Sequence, residues 1–542
     1  MLQFLSYAAM MAAGLIGTVT SISVPAERVL PLPPMGFNNW ARFKTDINES
    51  IFVDAVEAMT KRGLLAAGYN RINLDDAWST MSRAASNSMV WDTKKFPRGL
   101  PWLADYIKSK GFIPGIYSDS GSLSCGGYPG ALGYEDIDLN DFTAWGFEYL
   151  KMDGCNLPDA SEKTYHEVYG RWHSLLSQSG SKMVFSNSAP AYFSGVKNLT
   201  SWYMVMGWSR KYGHLARHSA DIQTYPEGNS WVSMMYNYGQ HVRLSRYQKP
   251  GFFNDPDFLN VDHPSYSLTE RKTHFALWCV FSAPLLLSTD LKALKDKEVE
   301  YLTNRRLIAV NQDRLVQQAT LVSRDANQDV LTKSVENGDR VVAMLNKAGV
   351  SARIMVSWER LGLSPTALQR ADYVSVEDLW TGKRQKIAVA AGGVRTESIP
   401  SHGTAVYRIS QKASAITPTG LIFNSNTLKC LTDDWSGLVG WFDCNDSDSQ
   451  VWMVRKDGRI SSLLHPDRCL MQTDRNLAAT SSVVPDRSCG KWKYHVSGNL
   501  INVKSGHCLT EKADGVAVII SCGYLLNEQV LSLPIGVAVA EA

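Results

Sequence analysis

The chain has 542 residues, 44% of them hydrophobic and 20% charged, with 55 basic against 52 acidic side chains and a formal charge of +3. The length points to about three domains, and the composition excludes a disordered chain. Near-balanced charge without a basic stripe argues against a nucleic-acid partner.

Residues 1–22 form an apolar run followed by small and hydroxyl side chains, the pattern of a secretory signal peptide. No Lys or Arg precedes the run, so a membrane anchor is the alternative. The run is short for a spanning helix, however, and no second segment resembles one. A secreted, extracellular protein, free of the membrane after signal removal, is the expectation. Three Asn-x-Ser/Thr triplets, at Asn48, Asn198 and Asn445, fit that route as glycosylation sites, although such triplets also arise by chance.

Between residues 30 and 316 one pattern repeats. A short apolar run ends in polar residues, and an amphipathic stretch such as SIFVDAVEAMTKRGLLAAG or LPWLADYIKSKG follows. The run ends are MGFNNW, YNRINLDDAW, FIPGIYSDS, FEYLKMDGC, MVFSNSAP, MVMGWSR, GFFNDPDF and PLLLSTD. Eight strand-then-helix units predict an α/β fold, a (β/α)8 TIM barrel. An open doubly wound sheet shares the alternation, but eight units fit the closed form better. Residues 317–411 change to short alternating segments such as DRVVAMLNK and GTAVYRIS, separated by turn residues, and predict an antiparallel β-sandwich. Residues 412–419 read as a linker.

Residues 420–536 repeat internally. Cys430-Leu-Thr, Cys469-Leu-Met and Cys508-Leu-Thr are each followed by a second cysteine at similar distance, Cys444, Cys489 and Cys522. Gln450-Val-Trp452 follows the first pair; Gly490-Lys-Trp492 and Gln529-Val-Leu531 are degraded equivalents. Six clustered cysteines in a secreted protein argue for three local disulfides. The threefold pattern resembles the ricin-type β-trefoil lectin domain, which implies one disulfide per lobe. The intact Gln-x-Trp speaks for the trefoil core more than for sugar binding, so glycan binding by this unit stays open. Cys279, alone in an apolar stretch, reads as a buried free thiol.

The barrel places aspartates at successive strand ends: Asp75, Asp76, Asp119, Asp153, Asp221, Asp255 and Asp257. A single strand-end aspartate is more often a cap or an ion-pair partner. A series of them implies a pocket that accepts hydrogen bonds from vicinal hydroxyls, and two carboxyl groups suffice for glycoside hydrolysis. A metal site is the competing reading, but no His or Cys joins the aspartates at ligand spacing. Sixteen Trp and 22 Tyr fit core packing first and sugar platforms second.

The motifs PPMGFNNW, NLDDAW, YLKMDGCN, ARHSADI and NDPDF occur in the order seen in glycoside hydrolase family 27, which the chain resembles from the barrel through the sandwich; the trefoil recurs in fungal members. That family comprises α-galactosidases and α-N-acetylgalactosaminidases. The resemblance implies a retaining exo-glycosidase that removes terminal α-galactosyl residues from oligosaccharides and galactosides without a cofactor or metal. It implies Asp153 as nucleophile and Asp221 as acid/base. Lys151, two residues before Asp153 and so on the same strand face, is expected to bind sugar hydroxyls and to keep Asp153 ionised. Asp221 is expected to have its pKa raised by that anion. Arg217 is placed beside the sugar 2-position, and Asp75 and Asp76 at the 4- and 6-hydroxyls. Trp40, Tyr117, Tyr192 and Asp257 are placed around the pocket. The resemblance also implies a Cys125–Cys155 disulfide. Many members carry two mutually bonded cysteines where this chain has Thr45 and Ala77, so a loop tether is missing.

Ser188 and Ala191 decide the expected specificity. Animal α-galactosidases resemble one another in having Glu and Leu there, and animal α-N-acetylgalactosaminidases in having Ser and Ala. Fungal members regarded as α-galactosidases share the small pair. The expectation is α-galactosidase activity with tolerance of 2-acetamido sugars. An α-N-acetylgalactosaminidase is the alternative, and a catalytically silent sugar-binding protein a more remote one.

Overall fold

Eight short apolar runs, buried on both faces, build the N-terminal half of the molecule. The computed structural model describes residues 26–541 apart from 196–198, 364–367, 369–370, 411–415, 435, 473–478 and 483–488. The signal peptide, Asn198 and residues 412–415 of the linker therefore lie outside the described residues. The strands are β1 (Met35–Asn38), β2 (Arg71–Asn73), β3 (Ile113–Asp119), β4 (Tyr149–Asp153), β5 (Val184–Asn187), β6 (Leu215–Arg217), β7 (Phe253–Asp255) and β8 (Leu285–Leu287). They form one parallel sheet in the order β7-β6-β5-β4-β3-β2-β1-β8. Its two edges meet through a single parallel bridge, Leu259 with Leu287. The Leu259 amide donates to Leu286 O at 2.9 Å, and the Ser288 amide to Leu259 O at 2.9 Å. A one-pair seam is enough to close the barrel, because Leu259, four residues beyond the short β7, carries the pairing across.

One expected strand is a helix. Residues 204–210, MVMGWSR, lie inside the helix Thr200–Tyr212. Trp202, Tyr203, Val205, Met206, Trp208 and Ser209 are its buried residues, a helical spacing rather than an alternation of two. The true sixth strand is the three-residue Leu215–Arg217, too short to show a period. Asp221 follows this strand.

The helix Leu268–Val280 starts at a capping box between Ser267 and Glu270. Every residue from Thr273 to Val280 is buried. A helix apolar all round needs cover on both sides, and the β-sandwich supplies the outer cover: Thr273 Oγ1 donates to His402 O. Cys279 is buried there as the free cysteine. The sandwich is a six-stranded antiparallel sheet with a two-stranded partner, closing over Val342, Met344, Val356, Trp358, Val376 and Ile409.

In the trefoil, Cys430–Cys444, Cys469–Cys489 and Cys508–Cys522 are disulfides, one per lobe. The degraded repeats each keep half of the Gln-x-Trp bonding. Trp452 Nε1 donates to Leu431 O at 2.8 Å, and Trp492 Nε1 makes the equivalent bond to Leu470 O at 3.0 Å. Gln450 Nε2 donates to Thr432 Oγ1 at 3.0 Å, and Gln529 Nε2 to Thr510 Oγ1 at 3.0 Å. These side chains are buried and spent on the core. Strand Val539–Ala540 pairs with Trp492–His495 and carries the trefoil sheet beyond residue 536. The unit docks directly on the barrel flank: Arg246 Nε donates to Val496 O at 3.0 Å, Tyr203 OH to Ser425 O at 3.2 Å, and Arg210 pairs with Glu541 at 2.6 Å.

Candidate active site

At the C-terminal strand ends a cavity of about 310 Å³ is lined by Trp40, Asp75, Tyr117, Asp153, Ser188, Ala191, Tyr192, Arg217, Ser219, Ala220 and Asp221, with the Cys125–Cys155 disulfide completing its wall. That is the lower end of the size range of small-ligand pockets. Strand polarity delivers the set: Tyr117 near the end of β3 and the last residues of β4 and β6, Asp153 and Arg217, share one mouth.

Asp153 ends β4 and is held from two sides. Tyr192 OH donates to its Oδ1 at 2.6 Å, and Lys151 Nζ lies 3.9 Å from its Oδ2. Lys151 also donates to Asp75 Oδ2 at 2.8 Å. Burial opposes a charge on Lys151, but the carboxylates of Asp75 and Asp153 outweigh it and hold the ammonium protonated. Asn38 Nδ2 donates to the same Asp75 oxygen at 2.8 Å, and Asn39 Oδ1 accepts from the Asp75 amide. The two asparagines thus fix Asp75, a role the sequence left unread in MGFNNW.

Asp221 stands across the cavity with its side chain 57% exposed. Arg217 Nη2 donates to its Oδ1 at 3.0 Å and Trp40 Nε1 to its Oδ2 at 3.2 Å. Arg217 itself is clamped to Asp257, Nη1 to Oδ1, at 2.9 Å. Burial pushes the Asp257 carboxyl up to about 7 against the pull of Arg217.

The electrostatics correct one expectation. Desolvation acts to raise the pKa of Asp221, yet Arg217, Lys151 and the Trp40 hydrogen bond together bring it below the usual aspartate value. Burial raises that of Asp153, and Lys151 and Tyr192 only partly offset it. In the ligand-free protein, cation placement therefore favours the anion at Asp221 more than at Asp153. The expected rise at Asp221 failed because its closest charged neighbour is Arg217, four residues along the same loop.

Three residues expected in the pocket stand behind its wall. Asp257 grips Arg217. Asp76 accepts from the Ala77 amide at 2.7 Å and the Gly126 amide at 2.8 Å. Lys151 reaches the cavity only through Asp75 and Asp153. Asp119, also at a strand end, is buried and accepts from the Gly121 and Cys155 amides. Among the described residues it forms the single grouping with metal-ligand spacing, with Cys125 and Cys155, but those two sulfurs are joined to each other. Tyr117 OH, Ser188 Oγ and Ser219 Oγ are buried without a hydrogen-bond partner among the described residues. Buried polar groups are rarely left so, and here they face a cavity where ligand hydroxyls would satisfy them. Ser219 has no signal in the sequence beyond lying in the Arg217–Asp221 loop. Of the glycosylation triplets, Asn48 is exposed and caps the helix Glu49–Lys61, and Asn445 is exposed on the trefoil.

Residues 32–313 match the sequence family described as alpha galactosidase A. Residues 325–409 match the alpha galactosidase C-terminal beta sandwich domain, and residues 418–530 the ricin-type beta-trefoil lectin domain. The chain is 48% identical to alpha-galactosidase A of Aspergillus niger over 96% of its own length and 94% of that protein. It is 33% identical to an alpha-galactosidase of Cyamopsis tetragonoloba over 70% of its own length and 87% of that protein. Among solved structures, alpha-galactosidase I from Mortierella vinacea superposes with a TM-score of 0.63 at 26% identity, covering 71% of this chain and 98% of that one.

Proposed function

The chain belongs to the alpha galactosidase A family of glycoside hydrolases, and on that premise we propose that it releases terminal α-galactosyl residues by double displacement at Asp153 and Asp221. The observation that carries the reading is the pair of carboxylates facing one cavity, each held by its own cation and ring hydroxyl or indole: Lys151 and Tyr192 for Asp153, Arg217 and Trp40 for Asp221.

In the first step an Asp153 oxygen bonds to the anomeric carbon as the glycosidic C–O bond breaks. The leaving oxygen takes a proton from Asp221. In the second step Asp221 removes a proton from water, whose oxygen displaces Asp153. Two inversions leave the α-configuration retained. The order of pKa values must reverse between free and bound states. A sugar that covers the exposed Asp221 strips its solvent and draws Arg217 toward the 2-hydroxyl, and both changes raise the Asp221 pKa. Asp75, fixed by Asn38, Asn39 and Lys151, accepts from sugar hydroxyls, and the free hydroxyls of Tyr117 and Ser219 offer further partners. The decisive experiment follows nitrophenyl α-galactoside by proton NMR. α-Galactose as the first product supports the proposal, and β-galactose or no hydrolysis defeats it.

A second reading concerns the 2-position. Ser188 Oγ has no partner among the described residues and lines the cavity beside the Ala191 methyl. A hydroxyl and a small side chain suit a 2-acetamido group, its carbonyl on the serine and its methyl over the alanine. We therefore extend the proposal to tolerance of α-N-acetylgalactosaminides, checked by rates on the two nitrophenyl glycosides side by side.

Secretion is part of the same reading. Its supports are the four disulfides and the N-terminal apolar run. Among the described residues no helix is long and apolar enough to cross a membrane.

A further inference from the structure

The loop between β2 and the helix Leu100–Ser109 doubles back on itself, with an isolated antiparallel bridge between Ser79 and Trp91. Its return limb is firmly seated. The Asp92 amide donates to Trp78 O at 2.9 Å, the Lys95 amide to Asp92 O at 3.1 Å, and Lys95 O accepts from the Glu49 amide at 2.9 Å. Phe96 beside it is fully buried against Phe52. From this base the Lys95 side chain runs toward the cavity rim.

Its ammonium meets three separate loops. Nζ donates to Ala77 O at 2.8 Å, to Thr45 O at 3.2 Å and to Tyr128 OH at 3.4 Å, and it stands 5.3 Å from the centre of the Tyr128 ring. Among the described residues no carboxylate pairs with it. Its donors are thus directed to neutral acceptors, two of them main-chain carbonyls on different loops.

Each loop carries part of the sugar pocket. Thr45 lies just after the short helix Trp40–Phe43, whose first residue points its indole at Asp221. Ala77 follows Asp75 and Asp76 and has a left-handed backbone, φ 73°, which a non-glycine residue adopts only when its surroundings enforce it. Asp76 holds the Ala77 amide and Lys95 holds its carbonyl, so the residue is gripped through both of its flanking peptides. Tyr128 sits in the hairpin that contributes Cys125 to the cavity wall, and the same hairpin donates the Gly126 amide to Asp76.

We propose that Lys95 is a positioning residue for galactoside binding: its ammonium locks the Trp40 loop, the Asp75–Ala77 turn and the Cys125 hairpin into one rim. It touches no substrate and takes no part in proton transfer. Its effect falls on how well the pocket is formed before the sugar arrives, and so on binding more than on turnover. The proposal rests on the reading of the cavity as the galactose site.

Lys95→Met keeps the stem against the Tyr128 ring and removes the donors. KM for nitrophenyl α-galactoside and the inhibition constant of free galactose are each expected to rise about tenfold, with kcat within about threefold of the parent. Lys95→Arg, whose guanidinium can reach the same carbonyls, should restore both constants. Lys95→Gln, with one amide donor on a shorter arm, should fall between them and serves if the methionine variant does not fold. A lower melting temperature with unchanged KM and galactose inhibition would overturn the proposal, leaving Lys95 a structural residue only. If the parent itself is not inhibited by galactose, the reading of the site has failed instead.

Discussion

Tyr192 donates a 2.6 Å hydrogen bond from its hydroxyl to Oδ1 of Asp153, and the same hydroxyl accepts from the Gly154 amide at 3.1 Å. The bond favours the anionic form of Asp153 against the burial that raises its pKa. Tyr192→Phe should therefore move the acid limb of kcat to higher pH, since the proposed nucleophile must be ionised in the sugar complex, where its pKa is the lower of the two. Hydrogen bonds to charged groups are worth about 1.5–3 kcal/mol, so a loss of about tenfold or more in kcat/KM is expected. A pH–rate profile on nitrophenyl α-galactoside checks both; an unmoved acid limb counts against the assignment of Asp153.

Trp40 works on the other carboxyl in the same sense. Its indole bond is one of the interactions that lower the Asp221 pKa, and Asp221 must be protonated to assist the leaving group. Trp40→Phe should shift the acid limb of kcat/KM upward, because Asp221 has the lower pKa of the pair in the free protein. In the sugar complex the order is reversed, so the same variant should shift the base limb of kcat instead. Movement of the same limb in both profiles would contradict the proposed reversal.

Removing the acid separates substrates by their leaving groups. General acid catalysis contributes about 10²–10⁴-fold, so Asp221→Asn should cost about that much on a galactosyl disaccharide. Nitrophenyl α-galactoside, whose leaving group needs little protonation, should lose less in the glycosylation step. Pre-steady-state bursts read that step directly. Equal losses on both substrates would point to a structural rather than a proton-donating role.

Ser188→Glu with Ala191→Leu fills the 2-position wall. Turnover of the acetylgalactosaminide should disappear while galactoside turnover is kept or gained. A parent that neither cleaves nor binds the acetamido sugar would show that the small wall serves another purpose.

Lys333 makes stability depend on pH. It is fully buried, with Nζ bonded to Ser282 Oγ and Val310 O, and burial lowers its pKa to about 7. Unfolded, it regains a pKa of about 10.4. Between those values the unfolded chain binds more protons, so Lys333 makes stability rise with pH, by about 1.4 kcal/mol per unit in mid-window. Below about pH 7 both states are charged and the burial cost is full. Lys333→Met should therefore stabilise most at or below pH 7, with the gain shrinking toward pH 10. Paired melting curves at pH 6 and pH 9 measure it; a gain independent of pH would mean that the lysine stays protonated when folded at both.

Residue type and local spacing determined much of this protein without coordinates. Strand–helix alternation, the switch to short alternating segments and the threefold cysteine repeat are short-range signals, and each was legible in a window of a few tens of residues. So was the series of aspartates at or just after several strand ends, because barrel topology sends every strand end to the same face. Tertiary structure alone decided what those residues do to one another. β6 was missed because the apolar run MVMGW of the preceding helix reads more like a strand than the three residues Leu215–Arg217 do. Asp76, Asp119 and Asp257 read like Asp75 and Asp153, yet backbone amides and Arg217 occupy them behind the wall. The lower pKa of Asp221 follows from a 3.0 Å contact with Arg217, whose length no spacing reveals. The missing cysteines at Thr45 and Ala77 could be read directly; the ammonium between their carbonyls could not, since Lys95 lies fifty residues from one and eighteen from the other. Hydrophobic periodicity is written along the chain, but the direction of a carboxylate, and the charge it meets, exists only after distant loops have packed.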